Sequence, residues 1–132
     1  MLVLVDSSVW VDLLSSRPKF KAAPDDFLKM ATCGPVVQEI LQGLRESPQS
    51  NIIRSQFLYL PRLSDPVPLS CFTEAAEIYR AGRKRGLTIR SSVDCLIAAI
   101  AISNQVPVWH NDRDFSAIAK FTKLEVVSGL AL

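Results

Sequence analysis

The sequence feature that most constrains the fold is an apolar run at positions 93–102, in which Asp94 carries the only charge. The run predicts a helix over residues 92–103, and a helix that is apolar on nearly every side is expected to be buried in a core. A lone buried carboxylate is costly unless another group pairs with it. The nearest candidates are Asp112 and Asp114, which follow the next apolar run. Because acids cannot neutralise one another, the pattern predicts a bound cation.

Apolar strands and helices alternate along the whole chain. A continuous apolar run at residues 2–5 predicts a strand that is buried on both faces, and the pattern predicts two further strands at 106–109 and 124–127. The remaining pattern predicts helices at residues 7–14, 24–31, 35–44, 48–59, 70–85, 92–103 and 112–120, with a short extended segment at 65–68. This alternation predicts an α/β protein with a three-layer α/β/α fold and a small central parallel sheet.

Length and composition favour one globular unit. A length of 132 residues and an apolar content of 48% predict a single domain over residues 1–132. The three scattered cysteines favour neither a disulfide framework nor a thiolate metal site, and they are typical of buried side chains in a reducing cytoplasm. The N-terminal residues lack the features of a signal peptide, and no apolar run approaches the length of a membrane span. We therefore expect a cytoplasmic protein that does not bind membranes.

Further acids are expected at the carboxyl ends of the strands, where open parallel sheets form their functional crevice. Asp6 ends the first predicted strand, Asp112 follows the strand at 106–109, and Glu39 lies at the border of the apolar face of its helix. Each acid also has an ordinary interpretation as a helix cap or an exposed helix residue. Together with Asp94 they form an oxygen-only set, which favours Mg²⁺ or Mn²⁺. Such ions activate water for attack on a phosphodiester and stabilise the leaving oxygen.

The charge balance agrees with a polyanionic substrate. The net charge is only +2, but five acids in one crevice would leave eight of the 13 acidic residues against 15 lysines and arginines. A basic surface around an acidic crevice suits a polyanion that approaches through metal ions. The basic residues at 80–85 have a second interpretation, because cations in the last turn of a helix complement its dipole.

Four acids in their local contexts resemble those of the PIN-domain ribonucleases, most closely the VapC toxins of toxin–antitoxin pairs. The matching segments are LVLVDSSVWVDLL with Asp6, VVQEILQGLR with Glu39, SSVDCLIAAIA with Asp94 and VWHNDRDF with Asp112. The resemblance implies a metal-dependent endoribonuclease in which these four catalytic acids hold Mg²⁺ or Mn²⁺.

The resemblance also implies roles for neighbouring residues. Asp114 would support the site, and the hydroxyl of Ser7 or Ser8 would help to order the first acid or a bound water. Many members of the family have threonine where this chain has His110, for which we predict a local hydrogen bond rather than a metal-ligand role. The candidate RNA-binding residues are Arg83, Lys84, Arg85, Arg90 and Arg113.

The same resemblance implies protein partners. The family pairs its toxins with a small antitoxin that wraps the toxin and blocks the crevice, and the toxins commonly form homodimers or toxin–antitoxin hetero-oligomers. The helices near residues 24–59 would be the docking surface. An antitoxin arginine that enters the acidic crevice would be electrostatically favourable.

Two other functions are compatible with the same acidic residues. Phosphohydrolases that form an aspartyl-phosphate also carry an aspartate at the end of a first strand, but they usually have a second aspartate two residues later, where this chain has Ser8. The other alternative is a non-catalytic, metal-bound RNA-binding or receiver-like module. A receiver would have adjacent acids near the first strand and a lysine late in the sheet, and neither is plain in this sequence.

Overall fold

A parallel sheet forms the middle layer of the computed structural model, which describes residues 1–129. Its strands are β1 (Val3–Val5), β2 (Met30–Ala31), β3 (Val108–Trp109) and β4 (Val126–Val127). They lie in the order β2-β1-β3-β4, and every neighbouring pair is parallel. All residues of β1 and β3 are buried, because helices cover the two central strands on both faces. The predicted three-layer α/β/α fold is therefore confirmed.

Helices begin where the sequence supplies a capping side chain or an early proline. They are α1 (Ser7–Leu13), α2 (Gly34–Gly43), α3 (Pro48–Leu58), α4 (Leu69–Lys84), α5 (Ser92–Asn104) and α6 (Arg113–Ala119), with a 3-10 helix at Pro24–Lys29. The side chains of Asp6, Ser47, Ser91 and Asp112 cap α1, α3, α5 and α6 by accepting hydrogen bonds from backbone N–H groups. Two of these caps are acids of the predicted site, so capping holds both carboxylates at the ends of strands.

The prediction of a helix over residues 24–31 is wrong at its end. The 3-10 helix stops at Lys29, and Met30 and Ala31 form the edge strand β2, which pairs with Val3 and Leu4 of β1. Both β2 residues are fully buried, so pairing with the sheet overrides the local helical preference. The segment predicted to be extended at 65–68 contains no helix, and it does not join the sheet. Arg62, which precedes this segment, forms an isolated β-bridge with Thr32. Prolines 66 and 68 lack the backbone N–H that such pairing needs.

Helix α5 is buried along most of its length, as its apolar sequence predicts. Its residues from Asp94 to Ala101 are buried except for Leu96, which is partly exposed. The helix ends at Gln105, which has a left-handed backbone with φ 56°, and the chain then turns directly into β3. Because this connection is short, the start of α5, where Asp94 lies, is at the same edge of the sheet as the carboxyl end of β3. Within residues 1–129, no helix has the length and apolar character needed to cross a bilayer.

Candidate metal centre

The first acid of the site is held at the junction of the two central strands. Asp6 is 2% exposed, and its backbone N–H donates to the carbonyl oxygen of Trp109 at 3.0 Å. Its Oδ2 accepts hydrogen bonds from the backbone N–H of Ser8 at 3.2 Å and from the Ser8 hydroxyl at 2.7 Å. The Ser8 hydroxyl oxygen also accepts from the N–H of Asn111 at 3.0 Å. Ser8 therefore ties the end of β1 to the loop after β3, which agrees with the role implied for a serine beside the first acid.

Asp112 and Asp114 form the opposite wall of the crevice. Asp112 caps α6, and its Oδ1 accepts from the N–H of Asp114 at 2.9 Å. Asp114 is 2% exposed, and its Oδ2 accepts from the backbone N–H groups of Arg90 and Ser91 at 3.0 and 3.1 Å. These two bonds anchor the segment that precedes α5 to the start of α6. They fix Asp94, which lies in the first turn of α5, relative to the two acids.

Three carboxylates meet in this wall. One oxygen each from Asp94, Asp112 and Asp114 lies within 4.8 Å of the other two. Among the described residues, the buried oxygens Asp6 Oδ1, Asp94 Oδ2 and Asp114 Oδ1 have no hydrogen-bond donor. Buried carboxylate oxygens without a donor are costly, and a hard divalent cation is the ligand that satisfies several of them at once. The donor set therefore fits a divalent metal site.

Glu39 reaches the crevice from α2 and is only half-buried. Its Oε1 accepts from the hydroxyl of Ser7 at 3.2 Å, which links α2 to α1. Glu39 and Asp6 lie outside the compact group of three acids, yet both are close enough for their charges to raise the pKa of Asp94. The structure thus brings all five predicted acids to one crevice, with Asp114 more central than the sequence indicates.

Burial and mutual repulsion set the protonation of these acids. Burial, followed by the charges of the neighbouring carboxylates, raises the pKa of Asp94 from 3.8 to about 8. Burial also raises the pKa of Asp6 and of Glu39, although hydrogen bonds from serines oppose the increase. Without a cation the crevice therefore retains protons at neutral pH. A divalent ion reverses this balance by favouring the ionised carboxylates.

His110 forms the local hydrogen bond predicted for it. Its Nδ1 accepts from the N–H of Asp112 at 3.1 Å, and burial lowers its pKa. The three cysteines are buried and free, as predicted. Burial raises the pKa of Cys33 to about 12 and that of Cys95 to about 11, so neither supplies a thiolate ligand.

The five candidate RNA-binding residues are all exposed, but they fall into two groups. Arg83, Lys84 and Arg85 lie at the end of α4, where the guanidinium groups of Arg83 and Arg85 lie 6.0 and 5.3 Å from the ring centres of Tyr79 and Phe121. Arg113 begins α6 beside the acids. The Nε of Arg90 lies 3.9 Å from Asp114 Oδ1, which places Arg90 at the rim of the crevice.

Sequence reasoning missed the backbone part of this site. The N–H groups of Arg90 and Ser91 orient Asp114, and the N–H of Asn111 meets Ser8. Side-chain identity does not predict such contacts, because they depend on where the chain returns to the sheet. The serine at position 8 was the only available signal.

Comparisons with known proteins agree with this geometry. A family model described as "PIN domain" matches residues 3–121. The chain is 34% identical to "VapC ribonuclease Mb1587" of Mycobacterium bovis and to "Ribonuclease VapC11" of Mycobacterium tuberculosis, with 96% of this chain and 98% of each relative covered.

Solved structures show the same fold at lower identity. "VapBC-5" from Mycobacterium tuberculosis matches with a TM-score of 0.69 and 21% identity, over 96% of this chain and 97% of the other. "VapBC2 from Rickettsia felis bound to a DNA fragment from their promoter" matches with a TM-score of 0.70 and 16% identity, over 96% and 98%. The match of the family model over most of the chain, together with the identity to these relatives, shows that the chain belongs to the PIN-domain family and, within it, to the VapC ribonucleases.

Proposed function

We propose that this protein is a metal-dependent endoribonuclease that acts as the toxin of a type II toxin–antitoxin pair. The observation that carries the proposal is the group of carboxylate oxygens from Asp94, Asp112 and Asp114 within 4.8 Å of one another. The ribonuclease names of the two mycobacterial relatives support it. The family membership favours this function over the phosphohydrolase and receiver-like alternatives.

The bound ion is proposed to be Mg²⁺ or Mn²⁺, because the available donors are carboxylate oxygens and the nearby thiols stay protonated. Such an ion supplies orientation and activation of the attacking water and stabilises charge on the leaving oxygen of the phosphodiester. Asp94, Asp112 and Asp114 are proposed as its ligands, with Asp6 Oδ1 directed to the same ion or to a second one. Glu39, held by Ser7, completes the negative field of the crevice.

The chain's own groups prepare the site. The two hydrogen bonds from Ser8 occupy Oδ2 of Asp6 and leave Oδ1 without a donor. The backbone N–H groups of Arg90 and Ser91 likewise occupy Oδ2 of Asp114 and leave Oδ1 without a hydrogen bond. Each acid is therefore oriented through one oxygen, so that the other can bind an ion. Orientation of ligands by such surrounding hydrogen bonds is typical of metal sites in proteins.

The decisive experiment removes one charge at a time. Asp94→Asn and Asp6→Asn are expected to abolish cleavage of a mixed RNA pool in Mg²⁺ or Mn²⁺ while circular dichroism stays unchanged. Asp25→Asn is the matched control, because Asp25 is exposed and lies on the 3-10 helix. Cleavage at the wild-type rate by either site variant, or undiminished wild-type cleavage in EDTA, would contradict the proposal.

A groove on the outer surface is proposed as the docking site of the antitoxin. It has a volume of about 420 Å³ and is lined by apolar side chains of α1, the 3-10 helix and α3, among them Trp10, Phe27 and Phe57. Phe27 is 41% exposed in this groove, so its ring can pack against a partner. The groove falls within the segments expected to dock an antitoxin. Solved neighbours named as VapBC complexes support a partner of this kind.

The docking proposal has its own test. The product of a short open reading frame adjacent to this gene should copurify with the protein and inhibit its ribonuclease activity. Phe27→Ala removes the exposed ring and should weaken the complex about tenfold, since the apolar area that the partner would bury is lost. Light scattering of the toxin alone and of the complex would show whether a homodimer or a hetero-oligomer forms. Wild-type affinity of Phe27→Ala would contradict docking in this groove.

We further propose that residues 1–132 form one domain that works in the cytoplasm. The continuous core that joins the sheet to α4, α5 and α6 supports the first statement. The three buried free cysteines support a reducing compartment.

A further inference from the structure

The loop after β3 carries a histidine whose hydrogen-bonding state is set by the backbone. His110 Nδ1 accepts a hydrogen bond from the N–H of Asp112 at 3.1 Å. A ring nitrogen that accepts a hydrogen bond cannot itself carry a hydrogen. The imidazole therefore carries its hydrogen on Nε2, as a neutral ring with one outward donor.

The outward donor has no protein partner. No atom within residues 1–129 accepts a hydrogen bond from Nε2, and Nε2 is not among the buried polar atoms that lack partners. The residue is half-buried, and Nε2 is accessible because it is neither hydrogen-bonded nor among the buried atoms without partners. This N–H is therefore available to a ligand.

The position of this donor is fixed relative to the acids. The residue before it, Trp109, accepts from the N–H of Asp6, and the residue after it, Asn111, donates to Ser8. His110 therefore lies in the loop that joins the end of β3 to Asp112, next to the strand end that holds Asp6.

We propose that Nε2–H of His110 donates a hydrogen bond to a phosphate oxygen of the RNA and so positions the scissile segment over the acids. The inference rests on the proposed ribonuclease function. An N–H donor suits an anionic phosphate oxygen, and Nε2 carries this hydrogen when Nδ1 accepts from the N–H of Asp112. His110 is a substrate-positioning residue in this account, and the acids remain responsible for the chemistry.

Two substitutions of His110 test the roles of its two ring nitrogens separately. In His110→Asn, the amide oxygen can replace Nδ1 as the acceptor for the N–H two residues later, as in an Asx turn, but the outward donor is lost. In His110→Gln, the amide nitrogen reaches the position of Nε2, but the local acceptor is lost. The first variant tests contact with substrate, and the second tests support of the Asp112 loop.

The expected kinetics are opposite for the two variants. In Mn²⁺, His110→Asn should raise KM for RNA about tenfold with kcat within about threefold of wild type, since the lost bond acts on binding. His110→Gln should recover most of that affinity and lower kcat instead. A wild-type KM for His110→Asn, or an equal increase of KM in both variants, would overturn the proposal.

A spectroscopic measurement tests the contact without cleavage. His110 is the single histidine of the chain, so ¹⁵N labelling of histidine gives one unambiguous imidazole. On an Asp94→Asn background, which should not cut RNA, the spectrum should show the Nε2–H tautomer, and single-stranded RNA should shift Nε2 more than Nδ1. Absence of an RNA-induced shift would refute the contact. Failure of wild-type cleavage alone would refute the ribonuclease function and leave this result standing.

Discussion

Asp94→Asn is expected to stabilise the metal-free protein while it removes activity. Asp94 is 5% exposed, and one of its oxygens is buried without a donor. Burial and the neighbouring carboxylates raise its pKa from 3.8 to about 8. Folding therefore opposes ionisation of this group. Asparagine occupies nearly the same volume without the charge, so the free energy of unfolding should increase.

The raised pKa of Asp94 determines whether stability rises or falls with pH, and over which pH range it changes. Below pH 4 the carboxyl is protonated in both the folded and the unfolded chain, so it costs nothing. Between pH 4 and pH 8 the unfolded chain ionises first, and wild-type stability falls as the pH rises. If the whole pKa shift of Asp94 acted on stability, it would lower the free energy of unfolding by ~6 kcal/mol at pH 8. Entry of water beside the charge reduces the expected difference from Asp94→Asn to ~2–3 kcal/mol.

The assay is urea unfolding from pH 4 to pH 8.5 in EDTA, with Asp25→Asn as the exposed control. The Asp94→Asn curve should fall less steeply with pH than the wild-type curve, and the control should follow wild type. Adding Mn²⁺ at 100 times its Kd should stabilise the wild type by about 2.7 kcal/mol and the variant by less. Equal pH slopes for wild type and Asp94→Asn, or a less stable variant at pH 8, would refute the argument.

Three further predictions address the surroundings of the site. Ser8→Ala removes the 2.7 Å hydrogen bond that orients Asp6 and should weaken metal binding or cleavage about 10- to 100-fold in a Mn²⁺ titration, whereas unchanged affinity would show that the hydroxyl is dispensable. Cys33, with a pKa of about 12, should resist thiol reagents in the native state and react in urea, and rapid native labelling would contradict its burial. Joint replacement of Arg83 and Arg85 by alanine should weaken RNA binding and reduce its salt dependence by about one to two phosphate contacts, and an unchanged salt slope would leave these residues as helix-terminal charges.

The sequence by itself was sufficient for the parts of the protein that depend on local pattern. An apolar helix with one acid had to be buried, and Asp94 is indeed enclosed by α5 and its neighbours. Continuous apolar runs marked β1 and β3, and the acids that end or follow them mark the crevice side of the sheet. These conclusions needed no knowledge of distant contacts, because hydrophobic periodicity and the ends of apolar runs can be identified from consecutive residues.

The tertiary structure decided everything that depends on residues far apart in the chain. Strand β2 exists because Met30 and Ala31 meet β1, although their local sequence favours a helix. Asp114 takes a central place because the N–H groups before α5 bind it from 23 and 24 residues away. The local hydrogen bond of His110 was predictable, but not the bond from Asp6 to Trp109 that sets this loop beside the first acid. Pairing and desolvation energies are set by three-dimensional neighbours, so spacing along the chain indicates only which groups are available to meet.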